Sequence, residues 1–160
     1  MIKEFEPVIR EMLTMVVEWE AKLSSLPNKS ITQHRNNQDR TIKQILGHLI
    51  DSASNNSHRI VHLQYRESPL EFPNYATFGN NDRWIAIQDY QGEDWHDMIM
   101  LWKYINHHLA HVIGRINPEK LDNQWIAGEG RYIALKDLVV DYVRHLKLHL
   151  GEITELIEKK

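Results

Sequence analysis

The sequence contains no cysteine in its 160 residues, which excludes disulfides, thiolate metal ligands and a cysteine nucleophile. Any thiol chemistry would therefore need a thiol that is supplied as a substrate. Long apolar runs are also missing, since no stretch approaches the roughly 20 residues that a membrane-spanning helix needs. The residues from Met1 to Glu6 lack the basic and then apolar layout of a signal peptide. We expect a cytoplasmic protein without a membrane partner.

The sequence has no excess of positive charge. Its 19 Lys and Arg residues are set against 22 Asp and Glu residues, which gives a formal net charge of -3. Such a balance cannot neutralise a phosphate backbone, so we do not expect nucleic acid as a partner. The hydrophobic content is 42%, with five Trp residues, and this suits one domain with its own core. We predict a single domain over residues 1–160.

Apolar residues recur at spacings of three and four in four stretches, which is the pattern of amphipathic helices. The stretches run from Ile2 to about Leu26, from Thr41 to before Pro69, from Asp94 to before Pro118, and from Leu135 to Ile157. Between the first two, residues 28–40 carry no sustained period. The pattern predicts an all-α fold, a four-helix bundle.

Residues at the predicted helix starts differ in their capping quality. Asp94, with Asp97 three residues later, resembles a capping arrangement, whereas Ala134 is a poor cap for the fourth helix. Before that helix, Gly128-Glu129-Gly130 is a turn signal and is compatible with a short hairpin.

The connection between the second and third predicted helices is long for a compact domain. It contains four breaking residues and five aromatic ones: Pro69, Pro73, Gly79, Gly92, Phe72, Tyr75, Phe78, Trp84 and Tyr90. Connections of this length are usually functional covers or bundle crossovers. We interpret the segment as an irregular crossover over one end of the bundle.

Histidine is abundant, with ten residues, and it is the commonest protein ligand for transition metals. His145 and His149 lie four residues apart within the apolar arc of the fourth helix, so both face the core. Two imidazoles on adjacent turns can bind one ion about 2 Å from each nitrogen. The alternative is a pair of core histidines that are hydrogen-bonded to backbone or carboxylate groups, and the sequence favours the two about equally.

His48 is the candidate for a third ligand. It lies beside the apolar flank of the second helix, and its face continues through Ser52, Asn55 and Arg59. Such a polar stripe lines either a cavity or a solvated seam, and for the stripe alone the seam is the commoner case. A third nitrogen from another helix would complete a facial set that leaves coordination positions open for water or substrate.

Asp51, Asn55 and Arg59 are candidate pocket residues on the same helix. Asp51 could orient an imidazole or act as a ligand or base, or could be a solvated carboxylate. Asn55 would suit the recognition of a ligand. Arg59 could hold an anionic substrate group by a bidentate contact, or could cap a helix or pair with Glu152.

His108 on the third helix is a further pocket candidate. On a helical wheel it lies with Leu101 and Ile105, whereas His107 and His111 lie to one side, toward solvent. His108 could therefore contact the pocket, or could be a core histidine with a hydrogen-bond partner.

Three segments resemble the DinB-like (DinB/YfiT) superfamily of metal-binding four-helix-bundle proteins. They are Ile45-Leu46-Gly47-His48-Leu49-Ile50-Asp51-Ser52, Leu101-Trp102-Lys103-Tyr104-Ile105-Asn106-His107-His108-Leu109 and Asp141-Tyr142-Val143-Arg144-His145-Leu146-Lys147-Leu148-His149-Leu150-Gly151-Glu152-Ile153. The resemblance covers nearly the whole chain. It implies an up-down-down-up bundle, a homodimer, and Ni²⁺ or Zn²⁺ bound by His48, His145 and His149.

The resemblance also implies metal-dependent transferases and isomerases that use low-molecular-weight thiols such as bacillithiol or mycothiol. Our leading hypothesis is a metal-dependent transferase that activates such a thiol toward an electrophilic small molecule, and a hydrolase would use the same site with water. The alternative is a non-catalytic, metal-dependent ligand-binding or stress-response module.

Overall fold

A computed structural model of the chain describes residues 2–77 and 79–159. Its α-helices and strands, in chain order, are α1 (Glu6–Ser24), α2 (Asn28–Gln33), α3 (Ile42–Tyr65), α4 (Asn80–Gln88), α5 (Trp95–Ile113), β1 (Gln124–Gly128), β2 (Arg131–Ala134) and α6 (Leu135–Glu158). The four long helices α1, α3, α5 and α6 are those that the apolar periodicity predicts. They form a four-helix bundle, so the predicted all-α fold is confirmed.

The bundle places α1 and α3 at opposite corners. Each of them packs against both α5 and α6. Fully buried side chains from all four helices fill the centre, among them Met12, Leu46, Trp102 and Leu146. Among the described residues, no helix is long and apolar enough to span a membrane.

Contacts near the helix ends show that α3 and α5 run in the same direction. Lys43, at the start of α3, donates from Nζ to the carbonyl oxygen of Gln91, just before α5 (3.1 Å). Gln64, at the end of α3, accepts at Oε1 from the backbone N–H of Asn117, just after α5 (2.9 Å). The two starts and the two ends therefore lie side by side.

The outer long helices run the other way. Trp95, at the start of α5, donates from Nε1 to the carbonyl oxygen of Leu23, at the end of α1 (3.1 Å). His34, soon after α1, has its Nδ1 atom 2.8 Å from the carbonyl oxygen of Leu156, at the end of α6. These directions are consistent with the up-down-down-up order that the family resemblance implies.

Two long helices begin with side-chain caps. Thr41 accepts from the backbone N–H of Gln44, whose side chain accepts in turn from the backbone N–H of Thr41, which is a capping box. Asp94 accepts from the backbone N–H of Asp97 (3.0 Å), as the sequence predicts.

The start of α6 is stabilised without a side-chain cap. Ala134 offers none. Instead, the backbone N–H of Leu135 donates to the carbonyl oxygen of Asn123 (2.8 Å), and that of Lys136 donates to the carbonyl oxygen of Leu121 (3.1 Å). The preceding segment therefore satisfies the first free donors of the helix.

The crossover between α3 and α5 is more regular than predicted, because it contains helix α4. The backbone is left-handed at both ends of that helix, at Gly79 (φ 72°) and at Asp89 (φ 47°). Tyr75 and Tyr90 are buried, and Phe78 lies outside the described residues. Helix α2 also forms within a stretch that carries no period, so the sequence pattern missed both short helices.

The predicted hairpin between α5 and α6 is present. Strands β1 and β2 pair antiparallel, and the turn between them includes Gly130 in the left-handed region (φ 65°). The crossover joins this hairpin at Leu70, which donates to the carbonyl oxygen of Gln124 (2.7 Å) and accepts from the N–H of Ile126 (3.0 Å). Hairpin and crossover therefore form one layer over α3.

A candidate metal site of three histidines

His48, His145 and His149, here called the His triad, converge through their Nε2 atoms. The Nε2 atom of His48 lies 3.3 Å from that of His145 and 3.1 Å from that of His149, and the latter two are 3.1 Å apart. His48 and His149 are buried, and His145 is partly buried. These are the three residues that the resemblance implies as metal ligands.

The antiparallel packing of α3 and α6 produces this convergence. His145 and His149 are one turn apart on the buried face of α6. One turn after His48 on α3, the hydroxyl oxygen of Ser52 lies 3.3 Å from Nδ1 of His145. His48 thus lies next to His149, and Ser52, one turn later on α3, lies next to His145, one turn earlier on α6. The Nε2 atoms of the triad therefore converge between the two helices.

Glu152 determines the tautomer of His149. Its Oε2 atom lies 3.0 Å from Nδ1 of His149 and also accepts from Nδ2 of Asn36 (3.1 Å). A carboxylate accepts and does not donate, so Nδ1 of His149 carries the proton and Nε2 presents its lone pair to the triad. Carboxylates in this position orient metal-binding histidines in many proteins.

The spacing of the triad nitrogens suits a divalent ion. Nitrogens about 2.0–2.1 Å from Zn²⁺ are about 2.9 Å apart at right angles and about 3.4 Å apart at tetrahedral angles. The observed separations of 3.1–3.3 Å lie between these limits. Lone pairs that converge in this way repel one another unless a cation lies between them. The donor set therefore fits one transition-metal ion.

Burial keeps two of the imidazoles neutral. Desolvation, together with the neighbouring imidazoles, lowers the pKa of His48 to about 2. Desolvation and the nearby His149 lower the pKa of His145 to about 4. A metal binds the neutral imidazole, so His48 and His145 require no deprotonation at neutral pH.

A pocket of about 620 Å³ opens beside His145, and we call it the triad pocket. It lies between α3, α6 and the hairpin, and the residues that matter below are Ser52, Arg59, Tyr75, Trp125, Tyr142 and His145. The ring of Tyr75 also lies 5.9 Å from the ring of His48, between centroids. Of the triad, His145 lines this pocket, so a small molecule bound there would contact the triad through His145.

The candidate residue Arg59 lines the triad pocket and is buried. Its guanidinium lies over the ring of Trp125, 3.6 Å from the centroid. The alternative of an ion pair with Glu152 is wrong, because Glu152 contacts His149 and Asn36 instead.

Two further candidates on α3 point away from the triad. Asp51 accepts at Oδ1 from the hydroxyl of Tyr90 (2.6 Å) and from Nε2 of Gln88 (2.8 Å), so its carboxylate faces the crossover and orients no imidazole of the triad. Asn55 donates to the carbonyl oxygen of Asp51 (2.9 Å) and lines a separate groove next to Phe72. The prediction that Asp51 orients an imidazole is therefore wrong, and neither Asp51 nor Asn55 lines the triad pocket.

His108 is also placed elsewhere. It is exposed on α5 and borders a surface groove with His58 and His62. The buried stripe of α5 runs through Trp102, Asn106 and Leu109, about one position away from the stripe that apolarity suggests. Asn106 takes a core position because it accepts at Oδ1 from the buried Tyr142 hydroxyl (2.6 Å).

Sequence reasoning missed three residues near the site. Glu152 was detectable, since it lies three residues after His149 and thus shares its face of the helix. Tyr75 and Trp125 were not detectable, because they lie in a loop and a hairpin, where no helical periodicity predicts that they pack against α3. Their places depend on the pairing of Leu70 with the hairpin.

Comparisons by sequence return nothing: no family model and no curated protein matches the chain. Among solved structures, the chain is similar to YfiT from Bacillus subtilis, described as a probable metal-dependent hydrolase with an unusual four-helix bundle topology. The TM-score is 0.83 at 18% identity, over 98% of this chain and 87% of that chain.

The mycothiol-dependent maleylpyruvate isomerase is a second structural neighbour, with a TM-score of 0.75 at 13% identity over 93% of this chain. A histidine-to-alanine mutant of that isomerase gives a TM-score of 0.75 at 12% identity. The chain spans 60% of the isomerase. At these identities the likeness establishes the fold alone, and the predicted four-helix bundle is confirmed.

Proposed function

We propose that the protein is a metal-dependent enzyme that activates a low-molecular-weight thiol toward an electrophilic small molecule. Its His triad would hold one divalent transition ion, with Zn²⁺ or Ni²⁺ as the first candidates. The observation that carries this proposal is the convergence of three Nε2 atoms at 3.1–3.3 Å beside an open pocket.

Three protein ligands leave a coordination position free, and an ion held in this way lowers the pKa of a thiol or a water molecule that binds there. The protein supplies the remaining elements. Glu152 fixes the orientation of His149, the buried position of His48 keeps bulk water from that side, and the triad pocket receives the substrate.

A thiol is favoured as the activated group for two reasons. The chain has no cysteine, so no internal thiol competes for the open position. One of its structural neighbours is described as mycothiol-dependent. The reaction would form a bond between the thiol sulfur and the electrophilic carbon, and the electron pair of the bond broken at that carbon would leave with a halide or stay on an epoxide oxygen. The thiol proton would go to that oxygen or to solvent.

Hydrolysis is the second candidate, because YfiT, which is described as a probable metal-dependent hydrolase, matches 98% of this chain in structure. The same triad would then activate water. The triad pocket also contains exposed carboxylates, Asp137 and Asp141, on its α6 side, and these could accept a proton.

Elemental analysis of protein purified without an affinity tag tests metal binding. We expect close to one transition-metal ion per chain in the wild type and a large loss in His48→Ala. His108→Ala is the matched control, since His108 is exposed and distant from the triad. A content well below one that His48→Ala leaves unchanged would remove the metal-dependent proposal.

The reaction is tested by incubating metal-loaded protein with a panel of thiols and electrophiles while free thiol is monitored. The transferase requires thiol consumption above that of His149→Ala. Ester or amide cleavage in the absence of thiol would point to the hydrolase. Metal binding without either reaction would point to a ligand-binding module.

A further inference from the structure

Arg59 is a buried cation without an anionic partner among the described residues. Only 4% of its surface is exposed, and none of the ion pairs between described residues includes it. Its one side-chain hydrogen bond to a described residue is a long contact from Nη1 to Oδ1 of Asn56 (3.4 Å), and its Nε atom has no partner among the described residues. A buried and unpaired guanidinium is unfavourable, so its retention calls for a ligand.

The guanidinium stays charged in spite of its burial. Desolvation lowers the pKa of Arg59 to about 10, well above neutral pH. Stacking on Trp125 compensates in part for the lost hydration and fixes the plane of the group. Trp125 is itself held by a hydrogen bond from Nε1 to the carbonyl oxygen of Phe72 (3.1 Å). The donors of Arg59 are therefore oriented before any ligand binds.

Tyr75 supplies a second buried donor on the same pocket wall. Its hydroxyl is buried and makes no hydrogen bond to a described residue. Burial raises the pKa of Tyr75, and the nearby Ser52 opposes that shift only in part, so the phenol stays protonated and able to donate. Arg59 and Tyr75 both line the triad pocket.

The other charges of the triad pocket lie at its exposed rim and balance one another. Arg144 donates from Nε to Oδ1 of Asp141 (2.6 Å), and both side chains are more than half exposed. Arg131 and Asp137 are the remaining pair of opposite charges there, and both are exposed. The inner wall thus contributes one positive charge, that of Arg59, which matches a monoanion better than a phosphate dianion.

A polar path connects this charge to the His triad. Asn56 donates from Nδ2 to Oγ of Ser52 (3.4 Å), and that oxygen lies 3.3 Å from Nδ1 of His145. Ser52 and Arg59 are seven residues apart on one helix, so their Cα atoms are about 10 Å apart. One small molecule can therefore reach both Arg59 and the His triad.

We propose that Arg59 and Tyr75 form a carboxylate subsite, and that the small-molecule ligand of the triad pocket carries a carboxylate at the end opposite to its reacting group. The inference rests on the proposed function only for the placement of the reacting group. The carboxylate subsite itself can be tested in protein with or without metal.

The test follows the Arg59 Nε–H resonance by NMR during titration with hexanoate, with hexanamide as the uncharged match and inorganic phosphate as the alternative anion. The resonance is assigned by its loss in Arg59→Lys. We expect hexanoate to shift it and to bind at least about tenfold more tightly than hexanamide. Arg59→Met should abolish that preference and Tyr75→Phe should reduce it, whereas Arg115→Met, an exposed arginine outside the triad pocket, should leave it unchanged.

Equal binding of hexanoate and hexanamide, with no shift at Nε–H, would overturn the proposal and leave Arg59 as a clamp for the hairpin. A preference for phosphate would overturn the carboxylate assignment. If Arg59→Met does not fold, the titrations of the wild type and of Tyr75→Phe still test the proposal. Failure of the metal analysis with a clear hexanoate shift would remove the proposed function and keep the subsite.

Discussion

Glu152 contacts Nδ1 of His149 from the side opposite to the converging nitrogens. We predict that Glu152→Gln weakens metal binding about 10- to 100-fold, because an amide can donate to Nδ1 and thereby permit the wrong tautomer. The measurement is a competition between the protein and a chelator of known affinity, with the bound metal determined at each chelator concentration.

The matched control for this change is Glu155→Gln. Glu155 is an exposed glutamate one turn further along α6, so the substitution removes the same charge without touching the triad. Equal metal affinities for the two variants would show that Glu152 does not act through His149.

The buried carboxyl group of Asp51 should make the stability of the protein depend on pH. Burial raises its pKa from the ordinary 3.8, although hydrogen bonds from Tyr90 and Gln88 oppose the shift. As pH rises above 3.8, the unfolded chain therefore loses this proton before the folded chain does, so stability is lost until the pH passes the folded pKa. An asparagine at this position does not ionise, and the free energy of unfolding of Asp51→Asn should thus increase relative to wild type as pH rises from about 4 to the folded pKa of Asp51.

Urea unfolding of both proteins at several pH values in that range measures this difference. Asp39→Asn is the control for the loss of one negative charge, because Asp39 is exposed and has a left-handed backbone (φ 61°) that asparagine tolerates. A difference for Asp51→Asn that is flat or falls as pH rises contradicts the prediction.

The sequence predicts which side of its own helix a residue lies on better than it predicts the contacts between helices. The spacing of His145 and His149 assigns both to the buried face of α6, and the structure places them there or at its edge. The position of His48 beside them depends on the offset between α3 and α6, which no local pattern contains. For the same reason, the sequence left open whether Arg59 meets Glu152.

At the level of elements, Gly47 allows the crossover to approach α3. A Cβ atom at this position would lie 2.1 Å from the ring of Tyr90. That side chain is buried, and its hydroxyl donates a hydrogen bond to Asp51. We predict that Gly47→Ala destabilises the protein by about 1–3 kcal/mol, because the ring must move out of a packed site. Thermal or chemical unfolding measures the change.

Gly151 on α6 provides the opposite case. No atom lies within 4 Å of a Cβ placed there, and the residue is exposed within a helix. Gly151→Ala should therefore stabilise by about 0.5–1 kcal/mol through helix propensity alone. Stabilisation by both substitutions would show that the ring of Tyr90 can move at no cost in stability and that the close approach of Tyr90 to Gly47 is not required.

Element length explains which helices the sequence reveals. The long helices repeat their apolar spacing over 19 or more residues, whereas α2 and α4 have six and nine residues, too few to establish a period. Helix α4 is held by tertiary contacts, such as the ion pair between Arg40 and Asp82 (2.6 Å). Helix α5 ends at Ile113, before the Ile116 at which the apolar pattern ends, and the backbone N–H of its C-cap residue Gly114 donates to the carbonyl oxygens of Ala110 and Val112.

At the scale of the whole molecule, the bundle separates the His triad from the exposed face of α1. The triad lies between α3 and α6, and α1 is diagonal to α3. Helix α1 presents an apolar surface, in which Val17 is 62% exposed next to the half-buried Ile9 and Leu13. None of these three residues lines the triad pocket.

The prediction of one domain over residues 1–160 stays a prediction.

We predict that two copies associate through this face of α1, as the homodimer implied by the family resemblance requires an apolar patch on each partner. Light scattering after size exclusion should give about twice the 19.0 kDa of one chain. Val17→Glu should shift the protein to the single-chain mass, because a charge in the contact would lose its hydration.

Val61→Glu is the control, since Val61 is also exposed (45%) but lies on α3. A single-chain mass for the wild type contradicts the homodimer, and a dimer that only Val61→Glu disrupts places the interface elsewhere. Because Val17 is exposed and does not line the triad pocket, Val17→Glu should keep its full metal content as a monomer. If metal were lost together with the dimer, the site would depend on the partner, and the separation of the two faces would not hold.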